Sequence, residues 1–129
     1  YDGDPAGTLR RFALDFTAIF ESERGIALYR LIIGEVHRFP EIALAFEAAG
    51  PSEPNRRLVR LLQRIAEHGD LTIDDFELAA EQFLALLTGR LLLDRALGLP
   101  LVPPEEIARQ SDAAVTLFLR GYATAPEPR

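Results

Sequence analysis

Asp74-Asp75-Phe76-Glu77-Leu78-Ala79-Ala80-Glu81-Gln82-Phe83-Leu84-Ala85-Leu86-Leu87-Thr88-Gly89-Arg90-Leu91-Leu92-Leu93-Asp94-Arg95-Ala96-Leu97-Gly98 carries more apolar surface than one helix face holds. Asp74 with Glu77 three residues on has the form of a capping box, and Gly98 is a helix stop, so the stretch is expected to form one long helix. Leu78, Ala85, Gly89, Leu92, Leu93 and Ala96 make one broad apolar face, and Ala80, Leu84, Leu87 and Leu91 make a second. Polar residues are confined to two wedges, Arg90 with Asp94, and Glu81 with Thr88 and Arg95. A helix packed on one core needs a stripe only a little over ~100° wide. This helix therefore belongs either at the centre of a bundle or at a seam between two copies.

The last helical segment has the same excess. Pro103-Pro104-Glu105-Glu106 opens it, with proline at the first turn and two acids where the helix dipole favours them. Its polar wedge holds Glu105, Arg109, Asp112, Thr116 and Arg120, and most of the rest is apolar, including Val115, Leu117 and Phe118. Packing four such helices across a two-fold axis would cover the surplus, so a homodimer is expected. Gly89 agrees with this, since a glycine inside a helix is tolerated where another helix approaches closely.

Working outward, punctuation divides the remaining chain into helices. Asp4-Pro5 is an N-cap followed by proline at the first helical position, and Leu9, Phe12, Phe16 and Phe20 follow at helical spacing. Ser22 restarts the chain, and Ile26, Tyr29, Ile33 and Val36 form the next stripe. Phe39-Pro40 ends it, because a residue before proline avoids helical geometry. Pro40 opens a short helix stopped at Gly50-Pro51, and Leu58, Leu61, Leu62 and Ile65 form a fourth stripe closed by Gly69. Residues 125–128 read as a frayed tail. No strand pattern is present, so the fold is all-α with about six helices in one domain.

Composition excludes several functions. The 129 residues contain no cysteine, which removes disulfides, thiolate metal sites and cysteine nucleophiles. All 14 basic residues are arginine, and the net charge of −6 argues against broad electrostatic binding of nucleic acid by this chain. Arg56, Arg60 and Arg64 share a stripe that reads as a solvated face. The chain starts at Tyr1 and has no methionine, so it is expected to be a fragment, a processed product or the ordered part of something longer. Its most apolar run, residues 83–93, is about half the ~20 residues a bilayer needs and contains Arg90. No signal sequence is visible either, so a soluble, cytoplasmic chain without membrane association is expected. Ser22, Ser52 and Ser111 lack a nucleophile-elbow context, His37 and His68 have no metal-ligand spacing, and no phosphate loop occurs. Neither catalysis nor a cofactor nor a metal is expected.

His37 shares a stripe with Ile26, Tyr29 and Ile33, and points inward on this reading. It is either a histidine bonded to a backbone carbonyl or a polar contact within an apolar ligand cavity. The aromatics leave the same choice between packed core and cavity wall.

The segment Arg30-Leu31-Ile32-Ile33-Gly34-Glu35-Val36-His37-Arg38-Phe39-Pro40-Glu41-Ile42, followed by Phe46 and Gly50-Pro51, resembles the regulatory domain of TetR-family transcriptional repressors. Ala79-Ala80-Glu81-Gln82-Phe83-Leu84 with Gly89, and Phe118-Leu119-Arg120-Gly121-Tyr122, resemble that domain's two dimerising helices. The likeness runs from about Gly7 to Tyr122. It implies a homodimer that encloses a small hydrophobic or aromatic effector, and operator DNA bound only through an N-terminal helix-turn-helix domain that is not in this sequence. The first helix would be the connector to that head. On this basis the expected ligand site is Phe16, Phe20, Tyr29, Ile33, His37, Phe46, Leu62, Phe83 and Leu87. The expected dimer seam is Leu84, Gly89, Leu91, Leu92, Ala114, Phe118, Leu119 and Tyr122. The alternative is a stand-alone helical dimerisation module that binds a protein partner and has no cavity.

Overall fold

Helix starts follow from local chemistry. In the computed structural model, which describes residues 1–49 and 53–126, α1 spans Pro5–Glu21 and Asp4 caps it by accepting from the Gly7 amide at 2.9 Å. Ser22 caps α2 (Glu23–Glu35) in the same way, from the Gly25 amide at 3.2 Å. Pro40 separates α2 from α3 (Glu41–Ala49), and α4 (Glu53–His68) ends at Gly69, whose φ of 97° suits a residue without Cβ. The expected Gly50-Pro51 stop and the end of the 125–128 tail lie outside the described residues.

The Asp74–Gly98 stretch differs from its expectation in two ways. Asp75, not Asp74, is the cap, accepting from the Leu78 amide at 3.0 Å. More importantly, the stretch is two helices, α5 (Phe76–Thr88) and α6 (Leu91–Ala96). The break is Gly89, at φ 41° and ψ −127°, a backbone conformation that side chains with a Cβ rarely adopt. The turn lets the two helices pack on different neighbours: α5 packs mainly on α4 and α7, whereas α6 packs on α1 and α2. With α7 (Pro104–Tyr122) the described residues form seven helices and no strand.

The core lies where α1, α4, α5 and α7 meet. Leu9, Leu58, Leu62, Ile65 and Phe83 are fully buried there, each contributing about 1.5–3 kcal/mol. Phe83 is the pivot, with its ring centroid 5.0 Å from that of Phe118 and 6.3 Å from that of Phe12. At the edge of this core, to which Leu71 belongs, residues 70–72 meet Tyr1 and residues 122–124. Leu71 forms an isolated antiparallel bridge with Ala123, and the Tyr1 hydroxyl donates to Asp70 Oδ2 at 2.5 Å. Among the described residues no helix is long and apolar enough to cross a membrane.

Candidate functional site

The outer faces of α5 and α7 leave several apolar side chains in the open. Leu78 (47% exposed) and Leu86 (39%) project from α5, with Gln82 and Ala85 between them. Leu117 (57%) projects from α7 between Ala113 and Gly121. These residues recur every three or four positions, so each helix offers one row. A shallow cleft of about 520 Å³ runs between the rows, with Ala85, Leu86, Leu117 and Gly121 along it, and Tyr122 donates to Gln82 Oε1 at 2.5 Å beside it.

The expected seam residues differ in how far the subunit's own packing covers them. Leu91, Ala114 and Phe118 are buried within the chain itself, and Leu84, Leu92, Leu119 and Tyr122 are half-buried. Gly89 is exposed at the α5–α6 corner. On α7 the open row of Ala113, Leu117 and Gly121 immediately precedes Ala114, Phe118 and Tyr122, a rotation of about 100°. Both sides of α7 are apolar, and the larger ring of Phe118 takes the inner one.

The expected ligand residues fall in four places. Phe16, Leu62, Phe83 and Leu87 are buried in the main core, with Phe20 packed at its edge and 5.4 Å from the Phe16 ring. Tyr29 (half-buried) and Ile33 (53% exposed) line a cleft of about 440 Å³ between α2 and the α5–α6 corner, facing Gly89, Leu92 and Ala96. Phe46 is half-buried on α3. His37 is exposed, contrary to its expected inward direction. Regular helix ends at Glu35, so His37 falls in the following turn and leaves the stripe of Ile26, Tyr29 and Ile33.

A residue the sequence reading left on a polar wedge proves central. Arg95 of α6 is only 5% exposed; its Nε donates to the Phe20 carbonyl at 3.1 Å and its Nη2 pairs with Glu23 at 2.7 Å. The Arg95 carbonyl in turn accepts from Arg30 Nε at 3.0 Å. One side chain thus ties α6 to the end of α1 and the start of α2. The signal available was an arginine within a leucine-rich run, which does not distinguish a surface charge from a buried one.

Other charged groups are engaged at the surface. Glu53 pairs with Arg56 at 3.2 Å and Arg60 at 3.4 Å, and the Arg57 guanidinium lies 5.1 Å from the centre of the Phe12 ring. Asp70 accepts from Tyr1 and stands 2.8 Å from His68 Nδ1. The Tyr1 hydroxyl, followed by His68, holds the Asp70 carboxyl below its ordinary range, against partial desolvation. Lost hydration, with the Asp70 carboxylate as next cause, pushes the Tyr1 hydroxyl upward. No metal-ligating group of three or more acids and histidines occurs among the described residues.

Residues 7–124 match the family of AefR-like transcriptional repressor C-terminal domains. The chain belongs to this family. Solved TetR-type regulators share the fold of this AefR-like domain. A TetR-family transcriptional regulator from Mesorhizobium loti MAFF303099 superposes with a TM-score of 0.85 at 24% identity, over 92% of this chain and 59% of its own. The flavonoid-responsive regulator FrrA gives 0.81 at 34% identity, over 92% of this chain and 60% of its own. A TetR regulator from Agrobacterium tumefaciens gives 0.82 at 28% identity, over 93% and 58%. The domain thus spans about three-fifths of the length of these structures. No curated protein matches it.

Proposed function

We propose that this AefR-like domain is the pairing and effector-sensing part of a bacterial, cytoplasmic TetR-type repressor whose operator contacts reside in a separate N-terminal head. The observation that carries the reading is the exposure of Leu78, Leu86 and Leu117 on α5 and α7. An exposed apolar surface of this kind marks an interaction face, and a second copy offers the same rows across a two-fold axis. Sedimentation velocity across a concentration series tests this. A dimer is expected, and a monomer mass at every concentration would overturn it.

The effector is a small, mainly apolar molecule, and the flavonoid-responsive relative at 34% identity supports an aromatic one. The cleft beside Tyr29 and Ile33 is the favoured place, because α6 forms one wall and Arg95 links α6 to α1. An occupant acts on the head only by binding one arrangement of these helices more tightly than another. No catalytic step is assigned. The alternative of a paired module without an effector draws on the filled aromatic core, in which Phe12, Phe83 and Phe118 pack together. Family membership favours the sensor.

A further inference from the structure

The cleft between α2 and the α5–α6 corner offers one uncommitted side-chain donor. None of its lining residues is charged, and only Tyr29 and Thr88 carry polar side chains. The Thr88 hydroxyl already donates to the Ala85 carbonyl at 3.2 Å, and the Gly89 amide donates to the same carbonyl at 3.0 Å. Arg30, next to Tyr29 in sequence, is engaged by the Arg95 carbonyl at 3.0 Å. The Tyr29 hydroxyl, by contrast, bonds to no described residue, although its side chain is half-buried. It is not sealed off either: it keeps surface open to solvent, so an entering molecule can reach it. The rest of the wall is mainly aliphatic, with Ile33 on α2 and Leu92, Leu93 and Leu97 on α6.

These walls select a ligand. An ionised group would lose hydration in the cleft and find no opposite charge there. A pure hydrocarbon would strip water from the Tyr29 hydroxyl and leave it unbonded. A ligand hydroxyl could accept from Tyr29 but would bring a second proton in need of an acceptor. A carbonyl oxygen accepts and adds no donor, and the Tyr29 ring offers an aromatic ligand a stacking or edge contact. The volume of about 440 Å³ falls in the range of small-molecule sites, about 300–1,000 Å³. We propose, resting on the reading of this cleft as the effector site, that Tyr29 sets its specificity. Its hydroxyl donates to the carbonyl of a neutral aromatic ketone whose rings lie on Ile33, Leu92, Leu93 and Leu97. None of these residues belongs to the seam proposed on Leu78, Leu86 and Leu117, so the ligand and the second copy occupy different surfaces.

Titration of the ¹⁵N-labelled protein with 2-acetylnaphthalene, 2-isopropenylnaphthalene and 2-naphthoate tests this. The first two differ only by a carbonyl oxygen against a methylene group, and the third places a charge at the same position. The largest amide shifts are expected at residues 29, 33, 88–89 and 92–97, and 2-naphthoate is expected to bind more weakly than the ketone. Tyr29→Phe keeps the ring and loses the hydroxyl, so it should lower the ratio of ketone to alkene affinity about five- to tenfold. A purely packing role for Tyr29 would change both affinities alike and leave the ratio as it was. Shifts at these residues with a ratio unaltered by Tyr29→Phe, or with 2-naphthoate binding as tightly as the ketone, would overturn the proposal and leave the effector site standing. Shifts centred elsewhere, or none from any of the three, would overturn both.

Discussion

Arg95 reaches across from α6 to the last turn of α1, where its Nε donates to the Phe20 carbonyl at 3.1 Å. Its other partner, Glu23, has a side chain that is 83% exposed, so that ion pair is screened and adds little. The carbonyl bond and the buried stem therefore dominate. Arg95→Met is expected to destabilise the domain by about 1–3 kcal/mol in urea denaturation, because it strands a partly buried carbonyl. Glu23→Gln should stay within about 0.5 kcal/mol of the parent. A large loss from Glu23→Gln would show that the ion pair holds the joint instead.

Leu117 and Phe118 are adjacent yet face opposite ways, 57% and 3% exposed. Phe118→Ala should lower stability by about 3–5 kcal/mol through the cavity it leaves. Leu117→Glu should leave the folded subunit intact and weaken pairing by about 3 kcal/mol or more, over a hundredfold, since it buries a charge at the proposed seam. Sedimentation and denaturation on both variants separate the two effects. A Leu117→Glu protein that still pairs would place the seam elsewhere.

Gly89 gives a prediction of sign. In the interior of a straight helix, glycine to alanine stabilises by about 1 kcal/mol. At φ 41°, the same change is expected to destabilise by about 1–2 kcal/mol from backbone strain, since a Cβ there meets only the Leu86 carbonyl at an ordinary 3.9 Å. Denaturant midpoints of Gly89→Ala decide the direction.

Asp70 makes stability depend on acidity. Tyr1 and then His68 hold its folded carboxyl below the ordinary aspartate value of 3.8. A lowered folded value means that the contribution is present above the unfolded value and lost as pH falls through the folded one. Between about pH 6 and about pH 3, the parent should therefore lose more stability than Asp70→Asn. Equal losses would show that the Tyr1–Asp70 contact adds nothing.

Where the chain must leave a helix because of its own local chemistry, the sequence was readable. Asp4-Pro5, Ser22, Pro40 and the Pro103-Pro104 pair bound helices for reasons contained in one or two residues. Choices that depend on distant partners were not. Leu117 and Phe118 are both apolar, and only the positions of α1 and α5 decide which turns inward. Gly89 fits a tolerated helix glycine as well as a break until α6 has a separate surface to pack on. Arg95 needed the carbonyl of Phe20, 75 residues away in sequence, to justify its burial. Of the expected ligand set, Tyr29 and Ile33 line a cleft together, whereas Phe16, Leu62, Phe83 and Leu87 belong to the main core.

Asp70 also binds both ends of the described chain: its carboxylate accepts from Tyr1, and its carbonyl accepts from the Thr124 amide at 3.2 Å. The polypeptide is thus already nearly a ring in space. A short covalent linker from the last described residues back to Tyr1 would bridge a gap the fold has closed. The ring could then be reopened between Leu97 and Leu99, both largely exposed, giving a circular permutant with every core helix uncut.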